Sequence, residues 1–277
     1  MKFFVIIIFV LHSLLAYPQN KAIDSLQKIL QTQKNDTNKV NTLLQLGLII
    51  FKNGDYNRAI EVANESIELS QSLGFKKGEV IGLSSIGWTY YTQDKPGEAL
   101  KSCFEALKLA KESNLSANMA GISIMIGQIY QQQYNFNDAR KYFFESLKVM
   151  EEIGNKNGIA QAYTNIGGLY RWQENFPEAL KNYYAASKIY EEAANKNGIA
   201  TIAQEIGYIY FDMGNYPDAL KYYAAAMQYF QAIGNKSSIA VCSKNLGDVY
   251  LKLSDYDEAS KKCMAALIYF EETKNQS

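Results

Sequence analysis

Few side chains in this sequence are equipped for chemistry. The one histidine is His12, inside an apolar stretch that reads as a targeting segment. Once that segment is removed, the chain has no imidazole for general acid–base catalysis, a nucleophile triad or a metal site. Adjacent carboxylates stand at Glu151-Glu152, Glu191-Glu192 and Glu271-Glu272, and two carboxyls flanking a glycosidic bond are enough for glycoside cleavage. They recur at the ends of helical stretches, however, and a solvated helix face accounts for them. Gly234-Asn235-Lys236-Ser237 has the ending of a phosphate loop but lacks its first glycine and the preceding strand, so it reads as a linker.

Cys103, Cys242 and Cys263 form an odd set, which in an exported chain points to a reactive thiol or an intermolecular bridge. Each nevertheless stands at a helical position that is otherwise small or apolar. Cys242 and Cys263 lie at unequal distances from the turn of one hairpin, which argues against a bridge. Asn-x-Ser/Thr triplets start at Asn35, Asn64, Asn114 and Asn235 and bear on glycosylation only in a eukaryotic secretory pathway. The expectation is a protein that is not an enzyme, with no cofactor and no metal.

Lys plus Arg equals Asp plus Glu at 28 each, so no net field draws the surface to nucleic acid or an anionic membrane. Residues 1–19 differ from the rest: Lys2, an apolar run from Phe3 to Leu15, then Ala16 and Tyr17-Pro18-Gln19. This is the order of a secretory signal peptide. The run makes roughly 20 Å of helix, short of the ~20 residues that span a bilayer. Leu14 is large for its place two residues before a cut at Ala16, and an uncleaved anchor is the alternative. The expected location is secreted or periplasmic, with no integral span after signal removal.

The organisation comes from a repeat. Glycine recurs at Gly47, Gly87, Gly127, Gly167, Gly207 and Gly247, and alanine at Ala59, Ala99, Ala139, Ala179, Ala219 and Ala259, a period of 40 residues. An aliphatic residue precedes every glycine, and Ile50, Tyr90, Tyr130, Tyr170, Tyr210 and Tyr250 follow it by three. Each unit splits into two stretches of helical periodicity, such as 160–172 and 177–193. Short polar turns separate them, and Pro96, Pro177 and Pro217 stand where second helices begin. Connections this short make neighbouring helices antiparallel. A glycine inside a helix costs about 1 kcal/mol against alanine. Its recurrence therefore predicts close backbone approach.

The pattern Tyr163-x-x-Ile166-Gly167-x-x-Tyr170, then Ala179-x-x-x-Tyr183-x-x-Ala186, resembles the tetratricopeptide repeat. The resemblance covers about 40–272 in six copies. It implies an all-α fold, an α-solenoid of six tandem antiparallel helix pairs. The 40-residue unit is longer than the common one of about 34, as in variants that enclose peptides. The opening aromatic is replaced by Leu43, Leu83, Ser123, Ala203 and Ser243, and the closing proline is absent. Within 20–39, residues 20–34 place Ile23, Leu26, Ile29 and Leu30 on one face and read as a helix capping repeat one. Residues 273–277 read as a polar tail.

Proteins of this family hold ligands on the inner surface of the stack. Helical spacing directs to that side the residues flanking each aliphatic–glycine pair, together with residues one turn on. They are Gln45, Leu48, Ser85, Trp88, Met125, Gln128, Asn165, Gly168, Glu205, Tyr208, Asn245 and Asp248, followed by Tyr91, Gln132, Arg171, Trp172, Phe211, Asp212 and Lys252. The strip is polar and aromatic. It lacks the Lys/Arg clamp with which some relatives seize a terminal carboxylate. The proposed peptide-binding set is Gln45, Ser85, Trp88, Tyr91, Gln128, Gln132, Asn165, Arg171, Trp172, Glu205, Tyr208, Asp212, Asn245 and Asp248. For Trp88 and Trp172 the alternative is packing between neighbouring repeats. The expected function is a non-catalytic scaffold for another protein or a peptide. The alternative, from likeness to the extracytoplasmic parts of bacterial sensor proteins, is a sensory or regulatory module, free-standing or truncated, that associates with a signalling partner.

Overall fold

The computed structural model describes residues 17–274, and the expected signal segment 1–16 lies outside them. Among the described residues there are thirteen helices and no strand. The first is α1 (Tyr17–Thr32). Six pairs follow: α2 (Thr37–Lys52) with α3 (Tyr56–Ser72), α4 (Lys76–Thr92) with α5 (Pro96–Glu112), and α6 (Ser116–Gln132) with α7 (Phe136–Glu152). Then come α8 (Lys156–Trp172) with α9 (Phe176–Glu192), α10 (Lys196–Asp212) with α11 (Tyr216–Ala232), and α12 (Lys236–Lys252) with α13 (Tyr256–Lys274). The chain forms two compact units that divide between Ile153 and Gly154, so the first contains α1–α7 and the second α8–α13.

Local chemistry sets the helix ends. The residue after each C-cap is left-handed from Gly54 to Ser254, every 20 residues, and includes Asp94, Asn114, Tyr134, Glu174 and Ala194 besides glycines. The next residue caps the following helix. Asn155, Asn175, Asn195, Asn215 and Asn235 each accept a backbone N–H three residues on, a contact whose loss costs ~1 kcal/mol. Asn-Lys-Asn-Gly at 155–158 and 195–198 is thus a capping motif, and so is Asn235-Lys236-Ser237-Ser238, which overlaps the stretch read as a linker. The first helices start at Lys156 and Lys196. The prolines stand in the first turns of α5, α9 and α11.

Within each of the two compact units every first helix packs antiparallel on its second helix, and each second helix packs on the first helix of the pair that follows it in the same unit. The aliphatic residues before the recurring glycines are buried: Leu46, Ile86, Ile126, Ile166, Ile206 and Leu246. So are the recurring alanines. At Gly87 and Gly247 the expected approach of two backbones is present, since a Cβ there would meet the carbonyl oxygens of Ala99 and Ala259 at 3.3 and 3.5 Å, and a side chain of the facing helix also uses the space. A Cβ on Gly127, Gly167 or Gly207 would lie 2.5, 2.7 or 2.6 Å from the ring of Phe143, Tyr183 or Tyr223 respectively. On Gly87 and Gly247 it would meet Cys103 and Cys263 sulfur at 2.7 and 2.8 Å. The glycine makes room for the side chain sixteen residues on. Where that residue is Ala63, a Cβ on Gly47 would make only ordinary contacts, with Val62 at 3.7 Å and the Ala59 carbonyl oxygen at 3.8 Å.

In the first unit α1 packs on α2, with Ile23 buried and Leu26 and Leu30 partly covered by Leu46, Ile50 and neighbours. Ile29 departs from the expected apolar face and is exposed. The helix starts at Tyr17, earlier than position 20, with Pro18 in its first turn, where no N–H is needed. At the other end α13 continues to Lys274, into the stretch that reads as a polar tail. No described helix is long and apolar enough to cross a membrane.

Candidate functional site

In the second unit, side chains of the first helices α8, α10 and α12 meet in one bonded group, joined by a tyrosine from each of the second helices α9 and α11. Tyr208 is its hub. Its hydroxyl accepts from Asn245 Nδ2 at 2.9 Å and Gln204 Nε2 at 3.3 Å. Its ring meets Tyr223 edge to face at 5.5 Å, and the Arg171 guanidinium lies 5.0 Å over it. Arg171 also reaches Glu205 at 3.9 Å. Glu205 accepts the hydroxyl of Tyr183, itself buried, at 3.1 Å. Burial raises the Glu205 carboxyl above its ordinary value, while Arg171 and Tyr183 pull it back down. The Tyr183 hydroxyl is raised chiefly by burial, then by the Glu205 charge.

Beside this group Arg171, Trp172, Glu174, Phe176 and Asp212 line a recess of about 460 Å3. Trp172 is 47% exposed there. Burial raises the Asp212 carboxyl, Arg171 lowers it and Glu174 raises it again. Asp248 accepts from Lys244 at 2.7 Å, and Asn165 turns its amide N–H₂ back to the Gln161 carbonyl at 2.8 Å.

The expected residues of this unit therefore sort by role. Arg171, Trp172 and Asp212 line the recess, and Glu205 and Tyr208 hold Arg171 from outside that lining. Asn245 differs from the expectation of a ligand-facing amide. It is 5% exposed and is committed to Tyr208. Sequence reasoning missed Tyr183, Gln204, Glu174 and Phe176. The first is a scaffold slot of the repeat, and the others fall outside the positions chosen by spacing.

In the first unit the first helices α2, α4 and α6 line an apolar groove of about 420 Å3, with Ala59 and Ala63 of α3 in its wall. Ser85 and Trp88 of the expected set line it, with Leu48 and Met125. Trp88 is 37% exposed and tilts against Tyr91 at 5.2 Å. The remaining four, Tyr91 included, are not among its lining residues. Gln132 donates to Asp94 of the preceding repeat at 3.2 Å, Gln45 is exposed outside the groove, and Gln128 is half-buried and also outside it. The groove's Leu44, Ile81, Asn118 and Gly121 were not anticipated. Among the described residues no group of three His, Cys, Asp or Glu is placed to hold a metal, and the three cysteines are unbridged.

Helix pairs of near-equal length with one recurring set of buried aliphatic and alanine slots define a helical-hairpin repeat protein. Two tetratricopeptide repeat models match the sequence, one at 118–192 and 198–262 and the other at 40–73. The chain belongs to the tetratricopeptide repeat family. No curated protein sequence matches it. Solved structures of similar fold include the apo form of RapI, 12% identical, with 99% of each chain covered and a TM-score of 0.71. A Rap protein complexed with Competence and Sporulation Factor is 15% identical, with 92% of this chain and 81% of that one covered and a TM-score of 0.69. The quorum sensor NprR from B. thuringiensis, in its apo form, is 17% identical, with 90% and 70% covered and a TM-score of 0.61.

Proposed function

We propose that this protein is a non-catalytic scaffold that binds another protein or a peptide on the face presented by its first helices. The recess beside Tyr208 carries the reading. An exposed Trp172 and a polar rim of Arg171 and Asp212 stand on side chains already locked by hydrogen bonds and ring contacts. Groups held in place before binding lose little entropy on meeting a ligand, and Trp and Arg are common binding hot spots. Tetratricopeptide architecture supports the same reading, as does the complex of the similarly folded Rap protein with Competence and Sporulation Factor.

The second reading, a sensory or regulatory module of a bacterial signalling system, is favoured by the fold shared with a quorum sensor. It uses the same surface, with a signal peptide or partner as the guest. We further propose export, on the order of charge, apolar run and small residue at 1–19. Intact mass of the protein from medium or periplasm should start shortly after Ala16, and a full-length cytoplasmic chain would refute this.

The test of binding is selection from a displayed random peptide library on the whole protein, followed by titration of a chosen peptide. Trp172→Ala should weaken that peptide by tenfold or more, of the order of a ~2 kcal/mol hot spot. Lys181→Ala, at an exposed position on the second helix α9, should leave it unchanged. Absence of any selected binder, or a binder indifferent to Trp172, would overturn the reading.

A further inference from the structure

The groove of the first unit differs from the recess of the second in its chemistry. Of the chain, 20% of residues are charged, yet no ionisable side chain lines the groove. Leu48 and Trp88 stand on its walls at 52% and 37% exposure. These are large apolar side chains left partly in water.

Gly121 is the informative residue. It stands inside α6, where glycine is unfavourable for the helix, and packing does not require it. A Cβ there would meet nothing within 4 Å, whereas one on Gly127, further along the same helix, would run into the Phe143 ring at 2.5 Å. The other repeats carry Asn41, Ile81, Gln161, Thr201 and Val241 at this place. Gly121 lines the groove together with Trp88 and Met125, and with no side chain there the groove stays open as a trough at that point. Asn118, one turn before it, brings an amide that can both donate to and accept from a ligand backbone.

We infer that this groove is a subsite for an uncharged stretch of the bound peptide carrying large aliphatic side chains, with Gly121 admitting the peptide close to the helix. The inference rests on the peptide-binding reading and deepens it. A charged side chain here would lose water and find no counter-charge. Aliphatic groups would cover Leu48 and Trp88. The open trough and the amide at its edge suit a peptide better than a lone acyl chain.

The test uses the whole protein and the fluorescence anisotropy of two labelled, acetylated and amidated peptides of serine and glutamine. One carries leucine at every third or fourth position, the other glutamate at the same places. The leucine peptide should bind about tenfold or more tightly than the glutamate peptide, a contrast set by desolvation of charge. Gly121→Leu fills the trough and should weaken the leucine peptide about tenfold while its melting temperature holds or rises. Ser85→Glu, at an exposed position, should weaken it as well, and so keeps the test valid if the first variant folds poorly. If the leucine peptide binds and both variants keep its affinity within about twofold, the groove assignment is overturned and peptide binding stands. Displacement of the leucine peptide by dodecanoate with no discrimination between the two peptides would overturn it too. If neither peptide binds but a library-selected one binds through Trp172, the groove inference alone fails. If no peptide binds at all, both readings fail.

Discussion

Alanine at Gly167 puts the glycine reading to a quantitative test. The new Cβ would lie 2.7 Å from Tyr183 Cδ1 and 2.8 Å from Cε1, so the ring has to move. It has little freedom to do so. Tyr183 is 1% exposed and its hydroxyl is held by Glu205 at 3.1 Å. Overpacking of this kind costs about 1–3 kcal/mol, and replacing a helical glycine with alanine returns about 1 kcal/mol. The net expectation is a loss of about 0–2 kcal/mol. Gly47→Ala is the control, since its Cβ meets Val62 at an ordinary 3.7 Å and only the helix gain of about 1 kcal/mol applies. The two variants should therefore differ by about 1–3 kcal/mol, read by thermal melting at roughly 2–4 °C per kcal/mol for a chain of this size. A double-mutant cycle with Tyr183→Leu should return a coupling within about 0.5–3 kcal/mol, and Gly167→Leu should be worse than alanine by several kcal/mol. If Gly167→Ala and Gly47→Ala raise the melting temperature alike, and the cycle shows no coupling, the claim that the glycine exists to seat the ring is refuted.

Three further predictions concern the site. The Glu205 carboxyl is raised above 4.5 by burial. A carboxyl raised on folding contributes stability that is full below its unfolded value and is lost as pH rises through the folded value. Glu205→Gln, neutral throughout, should therefore melt more favourably relative to wild type at neutral pH than at mildly acid pH, and an equal difference at both would contradict the assignment. Asn165→Ala with Tyr208→Ala should weaken a selected peptide by roughly 2 kcal/mol or more if both are hot spots. The pair should also lower the melting temperature, because Tyr208 bonds Asn245 and Gln204 and packs on Tyr223; unchanged melting would mean those contacts hold nothing together. Burial pushes the Cys103 and Cys242 thiols up to about 12, and thiolate is the reactive form. A thiol reagent should thus modify Cys263 alone in the native protein, as read by peptide mass, and rapid labelling of either buried cysteine would be inconsistent with this packing.

The helix pairs, their period, the prolines in first turns and the buried aliphatic and alanine slots were legible in the sequence, because helical packing repeats the same residue type at the same register in every copy. The period also located the glycines, but their purpose was not local. Ring against Cα is a contact between residues sixteen apart on facing helices, and only the packed hairpin shows that Gly167 answers to Tyr183 while Gly47 answers to Ala63 with room to spare. Spacing likewise placed Asn165, Arg171, Trp172, Glu205, Tyr208, Asn245 and Asp248 on one face. It had no means of telling Asn245, turned inward to Tyr208, from Trp172, turned to solvent. Side-chain direction within a face depends on what the neighbouring repeat offers as a partner, here hydroxyl 37 residues away in the chain. Gly121 is the opposite case. Its identity breaks the repeat in plain view, but that the break opens a groove rather than a packing gap depends on which atoms surround it, and that was decided by the arrangement of α2, α4 and α6 in space.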